Sequence, residues 1–176
     1  LPRRLADVAQ PGDGDEIAEV SEFHAAVIPG GHGWGSIKVL GGARGAAMLR
    51  LREVLQDAAD FAANRKAFEA GDRREYSLSR LDLEALGPVV RGELALVVTV
   101  HRASDIVAAL RLAKEFRLRL ILAGAAEGWE VAREIAAADV AVLVEPLDNL
   151  PSSFERLGAT LENAARLQAA GVRVAF

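Results

Sequence analysis

A histidine that follows an apolar run is the residue of this chain with the clearest chemical potential. His101 comes directly after residues 94–100, which are almost wholly apolar and rich in Val and Leu. An imidazole at the end of a buried strand can act as a general base or bind a metal ion. Thr99 stands two positions earlier, so its side chain would share a strand face with that of His101. The alternative role for His101 is a local hydrogen bond beside the next helix.

Three other side chains are candidates for binding a substrate. Arg102 follows His101 directly, Glu127 follows the small residues 123–126, and Glu145 follows the apolar run 140–144. Parallel sheets bind ligands beyond the carboxyl ends of their strands, and these positions fall there. The alternative role for Glu127 is that of a first-turn helix acid, because the positive end of a helix dipole favours a carboxylate.

Metal-ligand patterns are scarce in this sequence. The chain has three histidines, His24, His32 and His101, no cysteine, and neither a His-x-His nor a His-Glu-x-x-His motif. These residues predict no complete hydrolase metal site within the sequence. Residues 30–45 are rich in glycine and lead into a helical pattern, as an anion site would. Because the Lys and Ser or Thr of a phosphate-binding loop are missing, a loop crossing the mouth of a barrel is the preferred interpretation.

The elements that would position these residues alternate regularly. Helical spacing predicts a long helix over 46–70 and a short one over 81–87. Strand-like runs follow at 94–100, 118–123, 140–144 and 172–176, separated by helical patterns over 106–116, 127–138 and 160–170. With right-handed crossovers, this order predicts an α/β fold: half of a (β/α)8 TIM-like barrel or half of an open doubly wound sheet. Ser104 and Asp105 are the predicted N-cap of the helix after His101.

The chain divides into two parts on this interpretation. Residues 1–45 form an irregular, Gly-rich N-terminal segment with short strands near 25–28 and 37–40, and residues 46–176 form the barrel segment. The first residue is not Met and the last predicted strand reaches residue 176, so we expect both ends of the barrel to be cut. Strands 94–100 and 172–176 would then have open edges, which favour a homo-oligomer.

Composition narrows the classes of partner and location. The chain has 176 residues, is 51% hydrophobic and carries a net charge of −4, so it can bury a core and is mildly acidic. An acidic balance argues against a nucleic-acid partner. No apolar run reaches the roughly 18 residues that a membrane span needs, and no signal peptide is predicted. We expect a soluble protein, which could be located in the cytoplasm or be exported.

Several motifs together resemble the amidohydrolase superfamily, and within it the imidazolonepropionase-like branch. They are Asn64-Arg-Lys-Ala, Leu81-Asp-Leu-Glu-Ala-Leu, His101-Arg-Ala-Ser-Asp-Ile, Leu150-Pro-Ser-Ser-Phe and Asn163-Ala-Ala-Arg-Leu. The resemblance covers about residues 40–176. It implies a metal-dependent (β/α)8 barrel flanked by a small β-sandwich, with Zn or Fe as the divalent metal of active relatives. It also implies hydrolysis of carbon–nitrogen bonds in small amide-type substrates.

The metal ligands that the resemblance implies are replaced here. Active relatives end the first of these strands with Val-His-Ala-His-Arg, whereas this chain has Thr99 at the first His position and His101 at the second. Gly124 stands where relatives place the His of the next strand. We therefore expect a degenerate metal site, no metal ligand among these residues, and His101 as the catalytic candidate. The alternative function is a non-catalytic barrel that binds a ligand or pairs with an active homologue. A third is a sheet domain that binds a phosphorylated ligand at the Gly-rich loop.

Overall fold

The computed structural model of the chain describes residues 22–27, 35–40, 44–145, 150–151 and 153–176. Six strands form one sheet in the order β2-β1-β3-β4-β5-β6. The strands are β1 (Glu22–Val27), β2 (Gly35–Leu40), β3 (Ala95–Val100), β4 (Arg119–Gly124), β5 (Ala141–Leu143) and β6 (Val174–Ala175). Strands β3 to β6 are parallel, and β1 and β2 are antiparallel to each other.

Helices follow or precede the parallel strands in the predicted alternation. They are α1 (Arg44–Glu69), α2 (Arg80–Val90), α3 (Ala103–Phe116), α4 (Ala132–Ala137) and α5 (Asn163–Ala169). Short 3-10 turns occupy Gly128–Val131 and Phe154–Arg156. The mixed α/β architecture is confirmed, and its four parallel strands are consistent with a section of a TIM-like barrel.

The core lies between the sheet and the helices. Its fully buried side chains come from each layer and include Leu55, Leu83, Leu96, Ile106, Leu122, Ile135 and Leu167. Apolar positions recur every three or four residues along the helices, so that one face of each can cover the sheet. No helix of the described residues is long and apolar enough to cross a membrane.

One predicted sheet edge is covered. Strand β1 pairs antiparallel with β3, with Ala25 opposite Val98 and Val27 opposite Leu96. The prediction of an open edge along β3 is therefore wrong. The pairing joins residues about seventy positions apart, and such a contact leaves no trace in local periodicity. β6 remains the last strand of the described sheet.

Helix boundaries differ from the prediction in several places, including α3, which begins at Ala103, three residues before the predicted start. Helix α2 continues through Pro88 to Val90, and the backbone turns back at its end where Glu93 N–H donates to Pro88 O at 2.9 Å. The pattern predicted as one helix over 127–138 is a 3-10 turn followed by α4, and α5 begins at Asn163, three residues late. The side chain of Asn163 joins the start of α5 to the turn after β4.

Candidate functional site

His101 lies at the carboxyl edge of the parallel strands. β3 and β4 end side by side, with Val100 opposite Gly124, and His101 is the next residue along the chain. Its half-buried imidazole lies directly against Gly124: a Cβ atom there would be 2.4 Å from Cε1 and 2.8 Å from Nδ1 of His101. Gly124 also has a φ of +77°, which other residues rarely adopt. Both observations make glycine the residue that lets this ring lie across the end of β4.

The loops after β3 and β4 are joined by backbone hydrogen bonds. Ala125 N–H donates to Val100 O at 2.7 Å, and Glu127 N–H donates to His101 O at 2.8 Å. Ala125 adopts a φ of +45°, so the chain turns sharply directly after the strand. The backbone on both sides of the His101 ring is therefore held by the neighbouring loop.

The Glu127 side chain bonds to the same loop. The residue is 7% exposed, its Oε2 accepts the Ala103 N–H at 2.9 Å, and its Oε1 lies 3.4 Å from Arg102 Nε. A carboxylate that accepts a first-turn N–H stabilises a helix as an N-cap side chain does. The prediction of Ser104 and Asp105 as the N-cap is wrong, because the cap residue of α3 is Arg102 and the capping oxygen comes from Glu127. Ser104 and Asp105 lie in the first turn.

A second set of side chains holds the turn after β4. Asn163 is fully buried, its Nδ2 donates to Ala125 O at 2.9 Å, and its Oδ1 accepts Trp129 N–H at 3.0 Å. Trp129 Nε1 donates to Gly158 O at 2.9 Å, and the Arg166 guanidinium lies 4.6 Å from the indole centroid. The sequence did not single out Asn163 or Gly158 as site residues, because their partners are more than 28 positions away in the chain.

The other candidates are placed at the same edge with different surroundings. The structure brings His101, Arg102 and Glu127 together through the contacts given above. Glu145 is exposed just past β5, which is two strands from β3 in the sheet. His24 lies in β1, and His32 lies outside the described residues, as do residues 30–34 and 41–43 of the Gly-rich loop. The roles of Arg102, Glu127 and Glu145 in substrate binding stay predictions.

Comparison with known proteins gives one solved structure. No protein-family model and no curated protein matches the chain. The crystal structure of an amidohydrolase from Thermotoga maritima MSB8 matches 76% of the chain at 25% sequence identity, with a TM-score of 0.65. This chain resembles an amidohydrolase. It spans about a third of the length of that protein, 34%, so the likeness supports the superfamily and says nothing of a branch within it.

The residues of this amidohydrolase-like section do not fit the metal that the resemblance implies. Thr99 and Gly124 offer no imidazole or carboxylate, and the His101 ring fills the space that a side chain at Gly124 would need. No group of three or more His, Cys, Asp or Glu side chains that could hold a metal occurs within the described part of the chain. The strand ends of this section therefore present one imidazole and no ligand set.

Proposed function

We propose that this chain is the central section of an imidazolonepropionase-like amidohydrolase, a (β/α)8 barrel that hydrolyses a carbon–nitrogen bond of a small amide-type substrate. The observation that supports this is the likeness in both fold and sequence to the Thermotoga amidohydrolase. The parallel order of β3 to β6 agrees with it, because a barrel of this class is built from repeated β-α units.

His101 is the residue of this section that we assign to the chemistry. Hydrolysis of a carbon–nitrogen bond requires a proton to leave the attacking water and a proton to reach the leaving nitrogen. An imidazole changes charge near neutral pH, and His101 is placed at the edge of the sheet where barrel enzymes bind their substrates. Arg102 and Glu145 would contact the substrate. Any Zn or Fe would need ligands from parts of the barrel outside this section.

The test uses the complete protein that contains this chain. Its content of Zn, Fe and Mn is measured, and a panel of cyclic and acyclic amides is assayed with each metal added back. Replacing His101 with Gln should lower kcat by about 10²- to 10⁴-fold. Replacing the exposed Asp72 with Asn should leave kcat unchanged. An absence of turnover across the whole panel and with every metal would contradict the proposal.

A non-catalytic barrel is the second candidate, and the packing of His101 favours it. The ring lies where an additional metal-binding side chain at position 124 would have to stand. On this proposal the protein binds an amide-type ligand or pairs with an active homologue without turning substrate over. Amides that raise the melting temperature while no product forms would support it. Turnover that depends on His101 would exclude it.

A further inference from the structure

Glu127 contacts three consecutive residues that include His101. Its backbone N–H donates to His101 O at 2.8 Å, its Oε1 lies 3.4 Å from Arg102 Nε, and its Oε2 accepts Ala103 N–H at 2.9 Å. The side chain is only 9% exposed. Because this carboxylate is nearly buried and its two oxygens already face a guanidinium and a helix N–H, little of it is open to a substrate.

Glu127 also packs against the segment at Gly158. A Cβ atom at Gly158 would be 2.7 Å from Cγ and 2.9 Å from Oε1 of Glu127. Gly158 is itself held there, since its carbonyl accepts the Trp129 indole N–H at 2.9 Å. Glu127 therefore contacts both the segment at Gly158 and the loop after β3, which restricts the positions that its carboxylate can take.

Glycine at position 124 completes the arrangement. The imidazole can lie against the end of β4 only because Gly124 lacks a side chain. The ring position thus depends on two things: open space at Gly124, and a fixed backbone for residues 101–103. Glu127 supplies the second through its main chain and its carboxylate.

We propose that Glu127 is a positioning residue: it holds the loop after β3 so that the His101 imidazole stays over Gly124. The inference rests on the proposed function in taking His101 as the group that acts. It replaces a direct substrate contact of Glu127 with an effect that reaches the substrate only through His101. Gln at this position can still accept the Ala103 N–H, whereas Ala cannot.

The test measures the position of the His101 imidazole and does not depend on turnover of a substrate. In the complete protein, labelled with ¹³C at His Cε1 and Gly Cα, a nuclear Overhauser effect is expected between the His101 Cε1 proton and a Gly124 Hα. Glu127→Gln should keep this signal and Glu127→Ala should lose it. In parallel, Glu127→Ala should raise several-fold the rate at which diethyl pyrocarbonate modifies His101, followed by mass spectrometry of its peptide. Glu130→Gln is the matched control, because Glu130 is an exposed acid three residues away.

Gly158→Ala provides a second test in case Glu127→Ala does not fold. This change keeps the carboxylate and the charge but pushes on Cγ of Glu127, so the signal between His101 and Gly124 should weaken. Retention of the wild-type signal and modification rate in Glu127→Ala, or in Gly158→Ala if only that variant folds, would overturn the inference. A protein that shows the signal but hydrolyses no amide would refute the proposed function alone, and the positioning of His101 would stand.

Discussion

Two carboxylates are buried in the described part of the chain, and they hold different elements together. Asp57 lies in α1 and is fully buried; its Oδ2 accepts Ser77 N–H at 2.8 Å, and its Oδ1 pairs with Arg74. Glu127 lies after β4 and bonds to the loop that carries His101. Each is buried, each faces an arginine, and each accepts a backbone N–H.

The comparison of Asp57 with Glu127 shows that burial beside an arginine does not by itself identify a functional carboxylate. Asp57 ties the link between α1 and α2 to α1, where no candidate site residue lies. What distinguishes Glu127 is its place at the carboxyl ends of parallel strands, next to the imidazole. Function is therefore inferred from location in the fold, and a buried ion pair elsewhere is assigned to structure.

The largest expected effect tests the structural role of Asp57. Asp57→Ala should lower the free energy of unfolding by about 2–4 kcal/mol, because Ser77 N–H and Arg74 lose a charged acceptor. Urea unfolding of the variant measures it, with the exposed Asp72→Ala as control. The signal between His101 and Gly124 should be unchanged. If that signal disappears in Asp57→Ala while the variant stays folded, the two carboxylates are not independent and the comparison fails.

The sequence predicted much of the fold because its elements repeat with clear periods. Residues 94–100, 118–123 and 140–144 are apolar apart from Thr99 and Arg119, and the strands that they form contain buried and partly buried positions. Gly171 follows α5 with a φ of +88°, the left-handed conformation in which glycine commonly ends a helix. These features depend on neighbours in the chain, so local patterns carry them.

The site was only partly predictable, for a physical reason. Position at a strand end indicated His101, Arg102, Glu127 and Glu145, and the structure confirms that edge for them. The bonds that fix the site join distant residues: Glu127 to Ala103, Asn163 to Ala125, and Trp129 to Gly158. Glutamate, asparagine and glycine in those places look like ordinary turn or cap residues until the fold brings their partners near.

The next effect concerns Gly124, against which the His101 imidazole packs. Gly124→Ala should lower the free energy of unfolding by about 1–3 kcal/mol, because its φ of +77° strains other residues and the new Cβ collides with the His101 ring. Chemical denaturation gives the loss, and the His101 Cε1 proton should shift. Gly45→Ala is the control, since Gly45 is an exposed residue at the start of α1 with nothing within 4 Å, and it should not destabilise the chain, because Ala is favoured over Gly in a helix by up to about 1 kcal/mol. An unshifted His101 resonance in Gly124→Ala would contradict the packing.

A smaller effect concerns the pH dependence of the contribution that Asp57 makes to stability. Burial raises the pKa of Asp57, but the hydrogen bond from Ser77 N–H and the hydrogen bond and charge of Arg74 outweigh it, so its pKa in the folded chain is below its usual value. A lowered folded pKa contributes stability above the pKa of the unfolded chain, and that stability is lost as the pH falls through the folded value. The wild type should therefore have a higher free energy of unfolding than Asp57→Asn near neutral pH, and this difference should shrink as the pH falls below about 5. Urea titrations across that range test it, and a constant difference would show that Asp57 does not titrate there.

The smallest effect concerns Asp60, an acid three residues after Asp57 in α1, and its partner Tyr76. Tyr76 OH donates to Asp60 Oδ2 at 2.6 Å, and its ring stacks on Phe68 with the centroids 5.3 Å apart. Burial and the Asp60 carboxylate raise the pKa of Tyr76 above its usual range. Tyr76→Phe should cost about 1 kcal/mol, the value of one hydrogen bond, because the ring stack remains.

The absorbance of Tyr76 reports on its contact with Asp60, so no activity assay is needed. The difference in ultraviolet absorbance between the wild type and Tyr76→Phe, followed with rising pH, should show a phenol that ionises above its usual pKa near 10. Asp60→Asn should lower that midpoint, because it removes the negative charge that opposes ionisation. Glu127→Gln should leave it where it is, since Glu127 belongs to the strand ends. A midpoint that moves equally in Asp60→Asn and Glu127→Gln would mean that the surroundings of Tyr76 are coupled to the strand ends.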